Sequence, residues 1–122
     1  PPPPPGRGEG RDKVARSLTI SDRKRLWVAR ALATRPKVLL LDEVMAGLNP
    51  AELDEMLEII RRLRSSGMTL IIIEHIMAAI MNVSERIIVL HHGEKIAEGI
   101  PMDVARDKRV IEAYLGEEYL LA

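Results

Sequence analysis

Two short aliphatic runs end in residues able to hold a metal ion or move a proton: "VLLLDE" at 38–43 and "LIIIEH" at 70–75. Asp42, Glu43 and Glu74 bring hard carboxylate oxygens, and His75 brings an imidazole that changes charge near neutral pH. Adjacent acids at the end of an apolar run have two readings. In one, the first acid holds Mg²⁺ through water while the second orients or deprotonates an attacking water. In the other, both cap a helix or sit in a solvated loop. The choice turns on whether the fold brings the two runs to one place.

The elements around them bear on that. "KVLLLDE" is short, continuously apolar and punctuated at both ends, which predicts a strand buried on both faces of a parallel sheet; "MTLIIIEH" predicts a second. Between them, "NPAELDEMLEIIRRLRSSG" carries helix signals. Asn49 is an N-cap, Pro50 the first helical residue, Glu52 completes the cap and Gly67 lies beyond the end. Leu53, Met56, Leu57, Ile60 and Leu63 form its apolar stripe. Strand, helix, strand in this order is a βαβ unit with a right-handed crossover, so both strands present their carboxyl ends at the same edge. Asp42, Glu43, Glu74 and His75 are therefore expected to converge where open α/β sheets bind ligands.

Upstream, Ser21 is placed to cap a helix whose stripe runs through Leu26, Ala29, Leu32 and Ala33 until Pro36 stops it. Downstream come a short helix near 76–83, two strands about a His-Gly turn in "RIIVLHHGEKIAEG", and helical segments near 102–106 and 108–115. Residues 1–16, "PPPPPGRGEGRDKVAR", read as a disordered or linker segment. The glycines at 6, 8 and 10 follow no strand and precede no Gly-Lys-Ser/Thr, so they do not read as a phosphate loop.

Composition narrows the function classes. With 122 residues there is room for one small domain, and 18 basic against 18 acidic residues leave no net field for nucleic acid or an anionic membrane. No cysteine is present, so neither a disulfide framework nor thiolate chemistry is available. The longest apolar runs are far too short to span a bilayer, and no signal-like segment opens the chain. His91 and His92 flank a turn without convergent acids and read as surface residues rather than metal ligands. Arg61, Arg62 and Arg64 follow Glu55 and Glu58 at helical spacing as a solvated ion-pair face, and Trp27 reads as packing against a neighbour.

An aliphatic strand ending in Asp-Glu is the Walker B pattern of phosphate-handling NTPases. The stretch "LTISDRKRLWVARALATRPKVLLLDE" at 18–43 resembles, without a gap, the signature helix running into Walker B of ABC transporter ATP-binding subunits. Leu18, Arg25, Ala29, Arg30, Ala31 and Leu32 match that pattern, while Thr19, Ile20, Ser21 and Asp22 stand where the family has Ser-Gly-Gly-Gln. "AGLN" at 46–49 falls at the D-loop, and His75 falls at the switch histidine of the H-loop. "LDEVMAGLNP", "IEHIMAAIM", "HHGEKIAEG" and "VIEAYLGEEYL" look like the branched-chain amino-acid transporter branch, and the resemblance covers 18–121.

The resemblance implies an α/β, partial P-loop NTPase fold: parallel strands with a crossover helix, then a carboxyl-terminal β-hairpin and helices. Residues 17–122 would form the carboxyl-terminal half of such a domain. It further implies ATP and Mg²⁺ as ligands, with Asp42 positioning Mg²⁺ through water, Glu43 as general base and His75 at the γ-phosphate. Asn49 would face a second ATPase subunit, and Thr19 and Ser21 would offer a helix N-terminus to the phosphate held opposite. Ile20 and Asp22 weigh against the last role by bulk and charge. The implied setting is the cytoplasmic face of a membrane, bound peripherally to permease subunits, with no nucleic acid and no direct membrane insertion.

No Walker A sequence occurs, and there is no glutamine for a Q-loop. Since that loop supplies most of the phosphate-binding donors, the chain alone is expected to be inactive, its strands lacking neighbours and its apolar faces open. Two functions follow. One is the catalytic-acid half of an importer ATPase, with branched-chain amino acids as the substrate class; the other is a non-enzymatic truncated module that binds a full ATPase subunit or permease.

Overall fold

The computed structural model describes residues 18–115, in two compact units that divide between Ile73 and Glu74. The proline-rich segment at 1–16 and the end of the tail lie outside the described residues.

The first unit contains α1 (Ile20–Leu32), β1 (Val38–Asp42), α2 (Pro50–Ser65) and β2 (Thr69–Ile73). Thr19, not Ser21, caps α1, its hydroxyl accepting the Asp22 N–H at 3.1 Å. Asn49 caps α2 as the sequence implies: its side chain accepts the Glu52 N–H at 2.8 Å while the Glu52 carboxylate accepts the Asn49 N–H at 3.3 Å. This reciprocal pair satisfies donors that a helix start leaves open. Gly67, at φ 92, then turns the chain out of α2 as only glycine does readily. Along α2, Met56, Leu57 and Ile60 are buried, and Glu58 pairs with Arg61 and Arg62 on the outer face.

The strands β1 and β2 pair in parallel, from Val38 opposite Thr69 to Asp42 opposite Ile73. Their burial differs from the two-sided expectation. Leu39 and Leu41 are buried, but Val38, Leu40, Ile71 and Ile73 are each about half exposed or more. Among the described residues one face of this two-stranded sheet is covered, fully at Leu39 and Leu41 and partly at Leu70 and Ile72, while the other face stays open. The stripe of α1 also differs. Leu26 is exposed at 40%, Ala29 and Ala33 are exposed, and the buried residues are Ser21, Lys24 and Val28. Helical spacing is kept, but the buried face begins in two polar side chains, Ser21 and Lys24, and the ammonium of Lys24 finds its partners in the turn after β1.

The second unit runs through α3 (Met77–Val83), β3 (Ile87–His91), β4 (Glu94–Gly99), α4 (Pro101–Arg106) and α5 (Lys108–Val110), which continues as a π-helical turn over Ile111–Leu115. β3 and β4 form the expected hairpin. His92 at φ 51 and Gly93 at φ 77 make its two-residue turn, whose positive angles match the twist of the strands. Arg86 and Lys95 both donate to the Glu98 carboxylate, and those bonds, Arg86's first, hold it below the ordinary carboxylate range. The Tyr114 hydroxyl donates to the Leu90 carbonyl, tying the π-helical turn to the hairpin. His91 ends β3 half-buried and His92 is exposed in the turn, and no group of acids and histidines suited to a metal ion forms among the described residues.

One-sided burial makes neighbouring leucines of β1 unequal. Leu41→Ala is expected to destabilise the protein by about 2–5 kcal/mol and Leu40→Ala by no more than about 0.5 kcal/mol, read from urea unfolding. Equal losses would mean that both faces are covered.

Candidate functional site

Asp42 is the last residue of β1, and its side chain is exposed at the carboxyl end of the strand. Its backbone partner in register is Ile73, the last residue of β2. The pairing runs one step further, since the Glu43 N–H donates to the Ile73 carbonyl at 2.8 Å. There the chain turns sharply: Glu43 adopts φ 51, a left-handed angle uncommon for a residue with a side chain. Glu43 is exposed beyond this bend. Glu74 and His75 follow Ile73 directly in the chain and open the second unit, Glu74 half-buried and His75 exposed.

The turn from Glu43 to Asn49 is held from several sides. Val44 and Met45, exposed by 5% and 0%, plug it into the core. Lys24 of α1 donates from Nζ to the Glu43 carbonyl at 3.1 Å and also to the Ala46 carbonyl. Gly47, at φ 77, lies close to Ile20, whose methyls would be 3.8 and 3.9 Å from an added Cβ. Asn49 closes the turn by capping α2. The first turns of α1 therefore pack against the loop that follows the two acids.

Within α1, Thr19 is exposed and its hydroxyl is occupied by the cap, while Ser21 is 7% exposed on the packed face. The Arg23 N–H donates to the Thr19 carbonyl at 2.9 Å. Residue typing missed Lys24, which stood in the basic run "RKR" like any solvated cation. The signal lay in its register: with Ser21 and Val28 it forms a helical face at i, i+3 and i+7.

Trp27, Val28, Ala31, Leu40, Leu41 and Val44 line a shallow pocket of about 170 Å³ with Asp42 on its wall. Trp27 is 54% exposed there rather than packed away. This volume falls below the roughly 300–1,000 Å³ of clefts that enclose drug-sized ligands.

Comparison with known proteins gives this geometry a family. A family model described as a branched-chain amino acid ATP-binding cassette transporter matches residues 94–119. The high-affinity branched-chain amino acid transport ATP-binding protein BraF of Pseudomonas aeruginosa is 41% identical over 107 residues, 87% of this chain and 42% of its own length. The lipopolysaccharide export system ATP-binding protein LptB of Escherichia coli is 39% identical over 111 residues, 91% of this chain and 46% of its own. A solved ATP-binding cassette of an ABC transporter in its ADP conformation superposes with a TM-score of 0.73 at 32% identity, over 82% of this chain and 41% of that one. The chain belongs with the ATP-binding cassettes of ABC transporters. It spans about two fifths of the length of the curated relatives it matches. In cassette terms, α1 is the element that resembles the signature helix, and β1 resembles the Walker B strand.

The left-handed backbone at Glu43 generates a test of the turn. Glu43→Gly and Glu43→Ile both remove the carboxylate, but isoleucine is poorly suited to a positive φ, so it is expected to lower stability by about 1–3 kcal/mol relative to glycine. Chemical unfolding of the two variants measures the difference, and equal stabilities would contradict the strained turn.

Proposed function

We propose that this chain provides the water-activating and Mg²⁺-positioning part of an ATP-hydrolysing cassette, within the ATPase subunit of an importer for branched-chain amino acids. The observation that carries the reading is Asp42 and Glu43 leaving the end of a paired strand on a turn clamped by Ile73 and Lys24. Asp42 presents an exposed carboxylate oxygen donor at the end of β1. That donor set suits Mg²⁺, which keeps several waters and takes one or two carboxylates together with substrate phosphates. When bound, Mg²⁺ neutralises the charge that develops on the transferred phosphoryl group.

In this reading Glu43 accepts the proton of the attacking water, and His75 contacts the γ-phosphate and that water. Thr19 and Ser21 belong to the helix start that faces the phosphate of a second ATPase subunit, and Asn49 faces the same subunit while capping α2. Permease subunits would hold the assembly at the cytoplasmic face of the membrane. The substrate branch rests on the family match at 94–119, since overall identity to BraF and to LptB differs little. Residues 17–122 act in this scheme as the carboxyl-terminal half of the domain.

The half-exposed apolar residues Val38, Leu40, Ile71 and Ile73 favour a second reading in part. They offer a surface to another polypeptide, as a non-enzymatic module that binds a full ATPase subunit or permease would need.

Without a Walker A loop the chain lacks the donors that hold the β- and γ-phosphates, so by itself it is expected neither to bind Mg·ATP usefully nor to release phosphate above background. Fused behind a Walker A half from a similar importer subunit, it is expected to hydrolyse ATP. There Glu43→Gln should lower phosphate release by about 10²–10⁴-fold with ATP still bound. Hydrolysis by the isolated chain would overturn the dependence on the missing loop. An active fusion indifferent to Glu43→Gln would move the base elsewhere.

A further inference from the structure

Lys24 is only 5% exposed, and among the described residues no carboxylate forms an ion pair with it. Burying an ammonium is costly unless its donors are used. Here they are used on backbone: Nζ donates to the carbonyl of Glu43 at 3.1 Å and to that of Ala46, bridging the turn that follows β1. The peptide groups on both sides of the Glu43 Cα are thus bonded, its N–H to Ile73 and its C=O to Lys24. Between them Glu43 holds φ 51, an angle that its own side chain does not favour and that its surroundings must impose.

From this geometry we infer that Lys24 is a positioning residue, which locks the left-handed backbone of Glu43 and so sets where its carboxylate stands. The inference rests on the reading of Glu43 as the general base. A charged donor suits the task because hydrogen bonds from an ionised group are roughly twice as strong as neutral ones. Lysine also has the reach, being able to span from the packed face of α1 to two carbonyls of one turn. Methionine keeps the length and the apolar stem but has no donor, whereas arginine keeps charged donors.

Two measurements test this. In the isotopically labelled chain, the Lys24 ammonium is expected to give a proton–nitrogen signal slowed in its exchange with water, and Lys24→Met is expected to speed hydrogen exchange at the Glu43 amide at least about tenfold, with Lys24→Arg restoring most of the protection. An ammonium exchanging like surface lysines, or an unaltered Glu43 amide, overturns the inference. In the Walker A fusion, Lys24→Met is expected to lower kcat for ATP about 10–100-fold with KM nearly unchanged, and to have little further effect when added to Glu43→Gln, because it acts through that residue. A full additional loss in the double variant, or a kcat within twofold of the parent, also overturns it. A fusion that hydrolyses ATP but ignores Glu43→Gln defeats the proposed base, and one that does not hydrolyse at all defeats the proposed enzyme. In either case the Glu43 amide still decides whether Lys24 locks the turn.

Discussion

The register between β1 and β2 is the constraint on which the first unit depends. Asp42 stands opposite Ile73, and the Glu43 N–H reaches the Ile73 carbonyl one step beyond the last paired residues. Side chains alternate along a strand, so a slip of one residue would carry Leu39 and Leu41 to the open face and draw Asp42 inward. The buried leucines therefore specify the register, and the register delivers the acids. Glu43 can leave the sheet at a left-handed angle because its N–H is already satisfied when the turn begins.

Lys24 shows how the same economy operates between elements. The turn from Glu43 to Gly47 leaves carbonyls pointing into a packed region, and buried carbonyls need donors. A purely apolar face on α1 would have left the carbonyls of Glu43 and Ala46 without this one. The helix instead buries Ser21, Lys24 and Val28, while the more apolar Leu26 and Trp27 are exposed. Hydrophobicity alone selects the wrong face when the surface to be covered is made of backbone oxygens.

What could be read from sequence divides along that line. The capping box at Asn49 and Glu52, the exit at Gly67 and the His92-Gly93 hairpin turn were legible because each is decided by chemistry within a few residues. The strands and their parallel pairing were legible from apolar runs around one helix. Burial on both faces of β1 was not found, because continuous hydrophobicity reports what a strand can bury and not which residues arrive to cover it. The cap of α1 is Thr19 rather than Ser21 because the helix already begins at Ile20, which leaves Ser21 inside its first turn and Thr19 as the extended residue ahead of it. Of the candidate site, the acids and the turn were legible by type and spacing, but the Lys24 clamp spans 19 residues of chain and needed the fold.

The proposed catalytic acids and the family match lie on separate stretches of this chain. Asp42, Glu43 and Lys24 lie in the first unit, where a strand end and a turn set the backbone by pairing, plugging and capping. The branched-chain family match lies at 94–119, in the second unit, where β4 and the helices after it form a packed module with its own core of Val104 and Val110. A geometry for activating water must be kept within narrow limits whatever is transported, since the reacting groups are the same. Of the two side chains proposed to meet that water, Glu43 lies in the first unit and His75 at the start of the second, ahead of the stretch the family match covers.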